Sequence, residues 1–165
     1  METYKIDEVD LKILKLLQSD GRMSNAKIAR SLQLGEVPCW RRIRCLEDSG
    51  YITSYETLVN QNLLGYGFHA FVHLKVDIAS DEANQVFRNT ISQFPEVLGF
   101  HNTTGDFDYV LFVVTRDVRN FSKFVEERLR GHPCGQLISR INSSVVLDTI
   151  KNDARIDLGV IHNQP

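Results

Sequence analysis

Leu34-Gly35-Glu36-Val37-Pro38-Cys39-Trp40-Arg41-Arg42-Ile43-Arg44-Cys45-Leu46-Glu47-Asp48-Ser49-Gly50 is the stretch whose reading decides the fold. At about 100° per residue, Cys39, Ile43 and Leu46 fall on one face of a helix, while Val37, Arg41, Arg44 and Cys45 fall on the opposite face. Trp40 and Arg42 lie on the flanks. Pro38 is tolerated only in a first helical turn, so the helix begins near Glu36, and Gly50 supplies the left-handed stop after Ser49. The alternative is an ordinary solvated helix packed on a core. The outer face, however, carries arginines instead of mixed charges, and the neighbouring segments favour a DNA-recognition helix.

Upstream, Asp7 caps a helix in which Ile6, Val9, Ile13, Leu16 and Leu17 recur at helical spacing, and Asp20-Gly21 ends it. Ser24 caps a short helix through Ala26, Ile28, Ala29 and Leu32, and a tight turn at Gln33 to Gly35 leads into the arginine-bearing helix. Helix, helix, turn, helix is the order of a helix-turn-helix, whose last helix enters a major groove about 12 Å wide. Ser24 and Asn25 then stand at a helix N-terminus, where free backbone N–H groups favour phosphate. Lys27 and Arg30 are phosphate candidates. Arg41 and Arg44 are the candidates for reading bases, with Val37 and Pro38 beside them at the start of the helix. Arg42, nearer the core, meets phosphate or an acidic neighbour. Trp40 packs on the domain edge or touches sugar.

Downstream, Gly50 to Leu58 is rich in aromatic and β-branched residues and reads as a strand, a wing that becomes a connector. Residues 59–66, with several amide side chains and Gly65, read as a hinge. Then come two βαβ units in series. Phe68 to Asp77 alternates as a strand, Asp81 to Phe94 has helical spacing, and Val97 to Thr104 is a strand; Asp108 to Thr115 is a strand, Asp117 caps a helix, and Leu137 to Leu147 is a strand. The pattern implies a ferredoxin-like βαββαβ sheet with both helices on one face, in an α+β chain. Tyr109-Val110-Leu111-Phe112-Val113-Val114 has no polar face, although the helices cover only one side. A second copy of the sheet is the simplest cover, which predicts a homodimer.

Composition bounds the partners. The chain has 165 residues, 42% of them hydrophobic, and a formal net charge of −2. The charge is uneven: residues 24–46 hold five basic residues against one acidic, and residues 56–165 hold ten against thirteen. A basic patch on a mildly acidic body suits a modular binder of double-stranded DNA. Cys39, Cys45 and Cys134 show no paired metal spacing and read as reduced thiols. The sequence offers no membrane span and no signal peptide, so we expect a cytoplasmic protein without membrane partners. His69 and His73 share a strand face but lack a third ligand, and Gly65-Tyr66-Gly67 precedes a strand instead of joining a strand to a helix. No metal, cofactor or catalytic residue is expected.

Three stretches together resemble the Lrp/AsnC family of bacterial and archaeal regulators. They are Asp7 to Gly21 with Ser24-Asn25, the helix from Pro38 through Leu46-Glu47 to Gly50, and the turn Gly105-Asp106-Phe107-Asp108-Tyr109. The resemblance implies a transcription factor with a winged helix-turn-helix at 1–58, a hinge at 59–66, a ligand-sensing and dimerisation domain at 67–152, and a tail at 153–165. It implies a small-molecule effector, usually an amino acid, bound between dimers, and dimers that assemble into octameric rings. The turn from Gly105 to Tyr109 corresponds to the family's effector loop. Ser144 and Val145 fall where the family lines the same pocket, and His101, Thr103 and Thr104 lead into the turn. Leu34 to Val37 departs from the family, many of whose members cap the recognition helix with Ser or Thr. Two rival readings share this architecture: an enzyme resembling haem-biosynthesis decarboxylases, and a ligand-binding partner protein without DNA binding. Neither needs Arg41 and Arg44 facing water.

Overall fold

The computed structural model describes residues 4–153 and 155–159. The chain divides into two units. One contains the described residues up to Leu58 with those from Asn152 on, and the other is Val59–Lys151.

The first unit is built on three helices. α1, Glu8–Ser19, opens with a reciprocal cap: Asp7 accepts from the backbone N–H of Val9 and Asp10, and Asp10 accepts from that of Asp7. Such a cap stabilises a helix by about 1 kcal/mol. α2, Asn25–Ser31, is capped by Ser24, which accepts from the Lys27 N–H. α3, Glu36–Asp48, begins after Gly35, which provides no side-chain cap. Gln33 at φ +55° makes the tight turn before α3, and Gly50 at φ +75° the stop beyond it. Ile13, Ile28, Ala29, Cys39 and Leu46, from all three helices, form the core.

Two features of this unit differ from the sequence reading. Gly50 to Leu58, read as a strand and wing, forms no ladder among the described residues; the Ile52 N–H donates to the Leu46 carbonyl and the chain then runs on without strand pairing. β-propensity expresses a fit to a neighbouring strand, and the described residues of this unit offer none. The stretch read as a tail, in turn, joins this unit. Leu158 is buried, and with Ile156 it lines a cavity of ≈ 760 Å³ beside Leu14, Leu17, Tyr51 and Tyr55. Positions 154 and 160–165 of that tail lie outside the described residues.

The second unit is a four-stranded antiparallel sheet in the order β2-β3-β1-β4, formed by β1 Phe68–Val76, β2 Val97–Asn102, β3 Tyr109–Thr115 and β4 Ile138–Val145. Ala70, Val72, Leu74, Tyr109, Leu111 and Val113 point to one face. There they are buried with Phe87 and Ile91 of α4, Asp81–Ser92, and Phe121 of α5, Val118–Lys123. Beyond Lys123 the helix widens over Phe124–Arg130, ending in an i→i+5 bond from the Gly131 N–H to the Glu126 carbonyl at 2.8 Å. β2 stops short of Thr104 because the Thr103 N–H donates to the Asp108 carbonyl at 2.8 Å and closes the hairpin there. By strand alternation, His69, Phe71, His73, Val110 and Phe112 lie on the face away from the helices. Phe71 is 43% exposed, its ring 5.2 Å from that of Phe112. No helix among the described residues is long and apolar enough to cross a membrane.

Candidate nucleic-acid interface and effector turn

On α3 the arginines have different partners. Arg42 turns toward α1, its Nη1 2.8 Å from Asp7 Oδ2 and 2.9 Å from Asp10 Oδ1. Asp10 is fully buried and also accepts from the Tyr4 hydroxyl at 2.9 Å. Hydrogen bonds to Asp10 and then Asp7 raise the Arg42 pKa further. The Asp7 carboxyl is held below its usual range, first by the Asp10 N–H it accepts and then by Arg42. Burial, and then the Asp10 carboxylate, push Tyr4 up to about 12. The sequence allowed Arg42 phosphate or an acidic neighbour, and the structure gives it two acidic neighbours. A guanidinium so held clasps α3 to α1.

Arg44 donates to Glu47 at 3.2 Å and lies 5.8 Å over the Trp40 ring. Arg41 is exposed and has no side-chain partner among the described residues. Val37 and Trp40 are 62% and 52% exposed, and Pro38, Lys27 and Arg30 are also exposed. Ser24 and Asn25 are engaged within the fold: the Ser24 hydroxyl caps α2, and Asn25 Nδ2 donates to the Glu36 carbonyl at 3.0 Å, linking α2 to the start of α3.

At the turn between β2 and β3, Gly105 sits at φ +109°, a conformation that favours glycine. Asp108 has both carboxylate oxygens committed: Oδ1 accepts from Lys75 Nζ and Oδ2 from the Val76 N–H, each at 2.9 Å. These two donors, the backbone one first, hold its pKa below the ordinary value. Tyr109 is buried; its hydroxyl donates to Asn84 Oδ1 at 2.6 Å and accepts from Arg88 Nε at 3.1 Å. The Thr103 hydroxyl donates to the Phe107 carbonyl. His101, Thr104 and Asp106 are exposed, and no side-chain hydrogen bond or ion pair engages them among the described residues.

Ser144 and Val145 pair with Phe71 and Ala70, whereas the turn abuts Leu74 and Lys75. Three rungs separate them, about 10 Å at the strand rise, so one chain does not bring them to the turn. Arg140 does reach it, 4.4 Å from the Phe107 ring centroid. Lys75, Asn84, Arg88 and Arg140 were missed in the sequence because each contributes from another element. A lysine and an arginine inside strand patterns were the available signal.

His69 and His73 stack near Phe112 and Phe107, and no metal-binding cluster occurs among the described residues. The three cysteines are free, Cys45 exposed and the other two buried.

A helix-turn-helix presenting basic residues, joined in one chain to an α+β sheet domain with a glycine turn, defines a DNA-binding, ligand-responsive regulator. Residues 6–47 match the AsnC-type helix-turn-helix domain, and residues 69–156 match the Lrp/AsnC ligand binding domain. The chain belongs to the Lrp/AsnC family of transcriptional regulators. It is 32% identical to the proline dehydrogenase transcriptional activator of Rhizobium radiobacter, over 91% of this chain and 94% of that protein. It is also 32% identical to the DNA-binding transcriptional activator DecR of Escherichia coli K12, over 88% and 94%. Among solved structures, a transcriptional regulator of Neisseria meningitidis in complex with L-Met superposes with a TM-score of 0.87, at 32% identity over 93% of this chain and 97% of that one.

Proposed function

We propose that this protein binds specific DNA sites through α3 and that an amino acid, held at the turn from Gly105 to Tyr109, sets its affinity for them. The observation that carries the reading is Arg41, exposed on α3 without an acidic partner among the described residues. Its fork is free to take guanine O6 and N7, a contact worth about 1–3 kcal/mol of discrimination. Val37 and Trp40 offer apolar surface to thymine methyl groups, and Lys27 and Arg30 take phosphates. Arg42, Ser24 and Asn25 set the angle at which α3 is presented.

At the turn, Asp106 accepts the ligand's ammonium group, with His101 and Thr104 as further polar partners. Asp108, Thr103 and Tyr109 hold the turn's shape. Ser144 and Val145 join this pocket only from another copy of the chain. The face bearing Phe71 and Phe112 buries itself against a second copy as a homodimer, and dimers associate further. We assign no catalytic activity, and the protein acts in the cytoplasm, where its DNA is. The L-Met complex of the Neisseria meningitidis regulator supports an amino-acid effector.

The test is to incubate the full-length protein with sheared genomic DNA from its source and sequence what it retains. A shared palindromic motif, retained less by Arg41→Ala, is expected. Uniform retention by both proteins overturns the reading.

A further inference from the structure

The three arginines of α3 differ in how far the fold engages them. Arg42 is committed to two carboxylates, Arg41 to no side chain among the described residues, and Arg44 to one carboxylate through Nη1 alone. Arg44 is held but not used up. Its Nη1 donates to Glu47 Oε2 at 3.2 Å and its guanidinium carbon lies 5.8 Å from the Trp40 ring centroid, while no hydrogen bond among the described residues takes Nε or Nη2. That free edge is the fork a bidentate contact to guanine needs. Trp40 precedes Arg44 by four residues and Glu47 follows it by three, so both flank it on one helix surface.

Glu47 is held in turn. Its other oxygen, Oε1, accepts from the Tyr55 hydroxyl at 3.0 Å. Burial, and then Glu47, push the Tyr55 pKa up to about 12, so the hydroxyl stays a donor at neutral pH. Trp40, Arg44, Glu47 and Tyr55 line one cleft.

Helix stability does not account for this network. Glu47 stands in the last turn of α3, where the helix dipole disfavours a carboxylate, and a basic residue before its acidic partner is the weaker order for a helical pair. An ion pair this exposed contributes little to folding. It does remove rotamer freedom from an arginine that would otherwise lose it on meeting DNA. A residue that breaks a local rule in this way is one placed for function.

We infer that Glu47 and Tyr55 are positioning residues that determine specificity: Tyr55 fixes Glu47, Glu47 fixes Arg44 beside Trp40, and the Nε and Nη2 edge of Arg44 is thereby aimed at one base pair. The inference rests on the reading of α3 as the helix that enters the major groove.

The test uses the full-length protein and the genomic fragment it retains best, in competition with versions of that fragment each changed at one base pair. Arg44→Ala should lower the preference at one pair about tenfold, the loss of a bidentate contact. Glu47→Ala should lower it at the same pair and no other, about threefold to tenfold, as loss of a preorganised side chain does. Tyr55→Phe should act at that pair too, and Glu47→Gln, which keeps an acceptor for both neighbours, should restore most of the preference. In an Arg44→Ala background neither change should lower it further, because both act through Arg44. Melting temperatures should not fall; should that of Glu47→Ala do so, Tyr55→Phe, which removes only a hydroxyl, decides. Unchanged preference, losses that add to that of Arg44→Ala, or tighter binding of Glu47→Ala to every fragment alike, the mark of a carboxylate that only repels phosphate, overturns the inference. A loss at one pair in Arg44→Ala with none in Glu47→Ala overturns it alone. No loss at any pair in Arg41→Ala or Arg44→Ala overturns the reading of α3 with it.

Discussion

Arg41 and Arg42 are neighbours in sequence with opposite surroundings, one exposed and one held by Asp7 and Asp10, and each supports a separate prediction. Arg42→Ala leaves Asp10 buried without its cation, so it should destabilise the protein by about 2–3 kcal/mol, read as a lower urea midpoint. Arg41→Ala removes an exposed side chain that nothing among the described residues engages. It should leave that midpoint unchanged while reducing discrimination between specific and random DNA by about 1–3 kcal/mol, measured by competition binding. An Arg41→Ala protein with full discrimination would remove Arg41 as a reader. The helical wheel correctly placed Arg42 on the core flank, because a wheel needs only local spacing. Its two acids lie on the α1 side, 35 and 32 residues away, and a wheel cannot show that distance closing. Asp7, read as the cap of the first helix, was the legible part of the network; Asp10 was not read, because its role appears only once the cap closes on it.

At the scale of elements, the turn between β2 and β3 is a braced structure with a polar rim. Asp108 ties it to β1 through Lys75 and the Val76 N–H. The folded-state pKa of Asp108 lies below the ordinary aspartate value of 3.8, so its stabilisation is present above that value and is lost as pH falls through the lower one. Asp7 acts in the same direction on α1. Unfolding in urea across the acid range should show stability falling below about pH 4, and Asp108→Asn should flatten part of that fall; an unchanged profile would exclude Asp108 as the brace. Gly105→Ala forces a β-carbon into a left-handed conformation and should cost about 1–2 kcal/mol, read from melting temperature. The helices and strands were legible because caps, proline breaks and two periodicities mark them locally. The missing wing ladder and the widened helix after Lys123 were not. The first depends on whether a neighbouring strand exists, and the second on how the helix end packs.

At the scale of the molecule, the uncovered sheet face is the strongest argument for assembly. Alternation of residues along β1 and β3 is enough to put Phe71 and Phe112 opposite the helices, and among the described residues Phe71 is left exposed there and Phe112 half-buried. Phe112→Glu should convert a homodimer to a monomer in light scattering without unfolding it; a wild-type monomer at micromolar concentration would contradict the homodimer. The two-unit division was legible from the change of pattern near residue 59. That residues 155–159 return to the first unit was not, because Ile156 and Leu158 alone are too few apolar residues to announce a docking segment.

The most direct measurement of the central claim is a titration of the DNA fragment the protein retains best, and of a scrambled fragment, with and without the amino acid that binds the protein. We predict tighter binding to the retained fragment, and a change in that affinity of about 5- to 150-fold when the amino acid is added, the usual range of coupling between two sites. Equal affinity for both fragments, unmoved by the amino acid, would contradict the account.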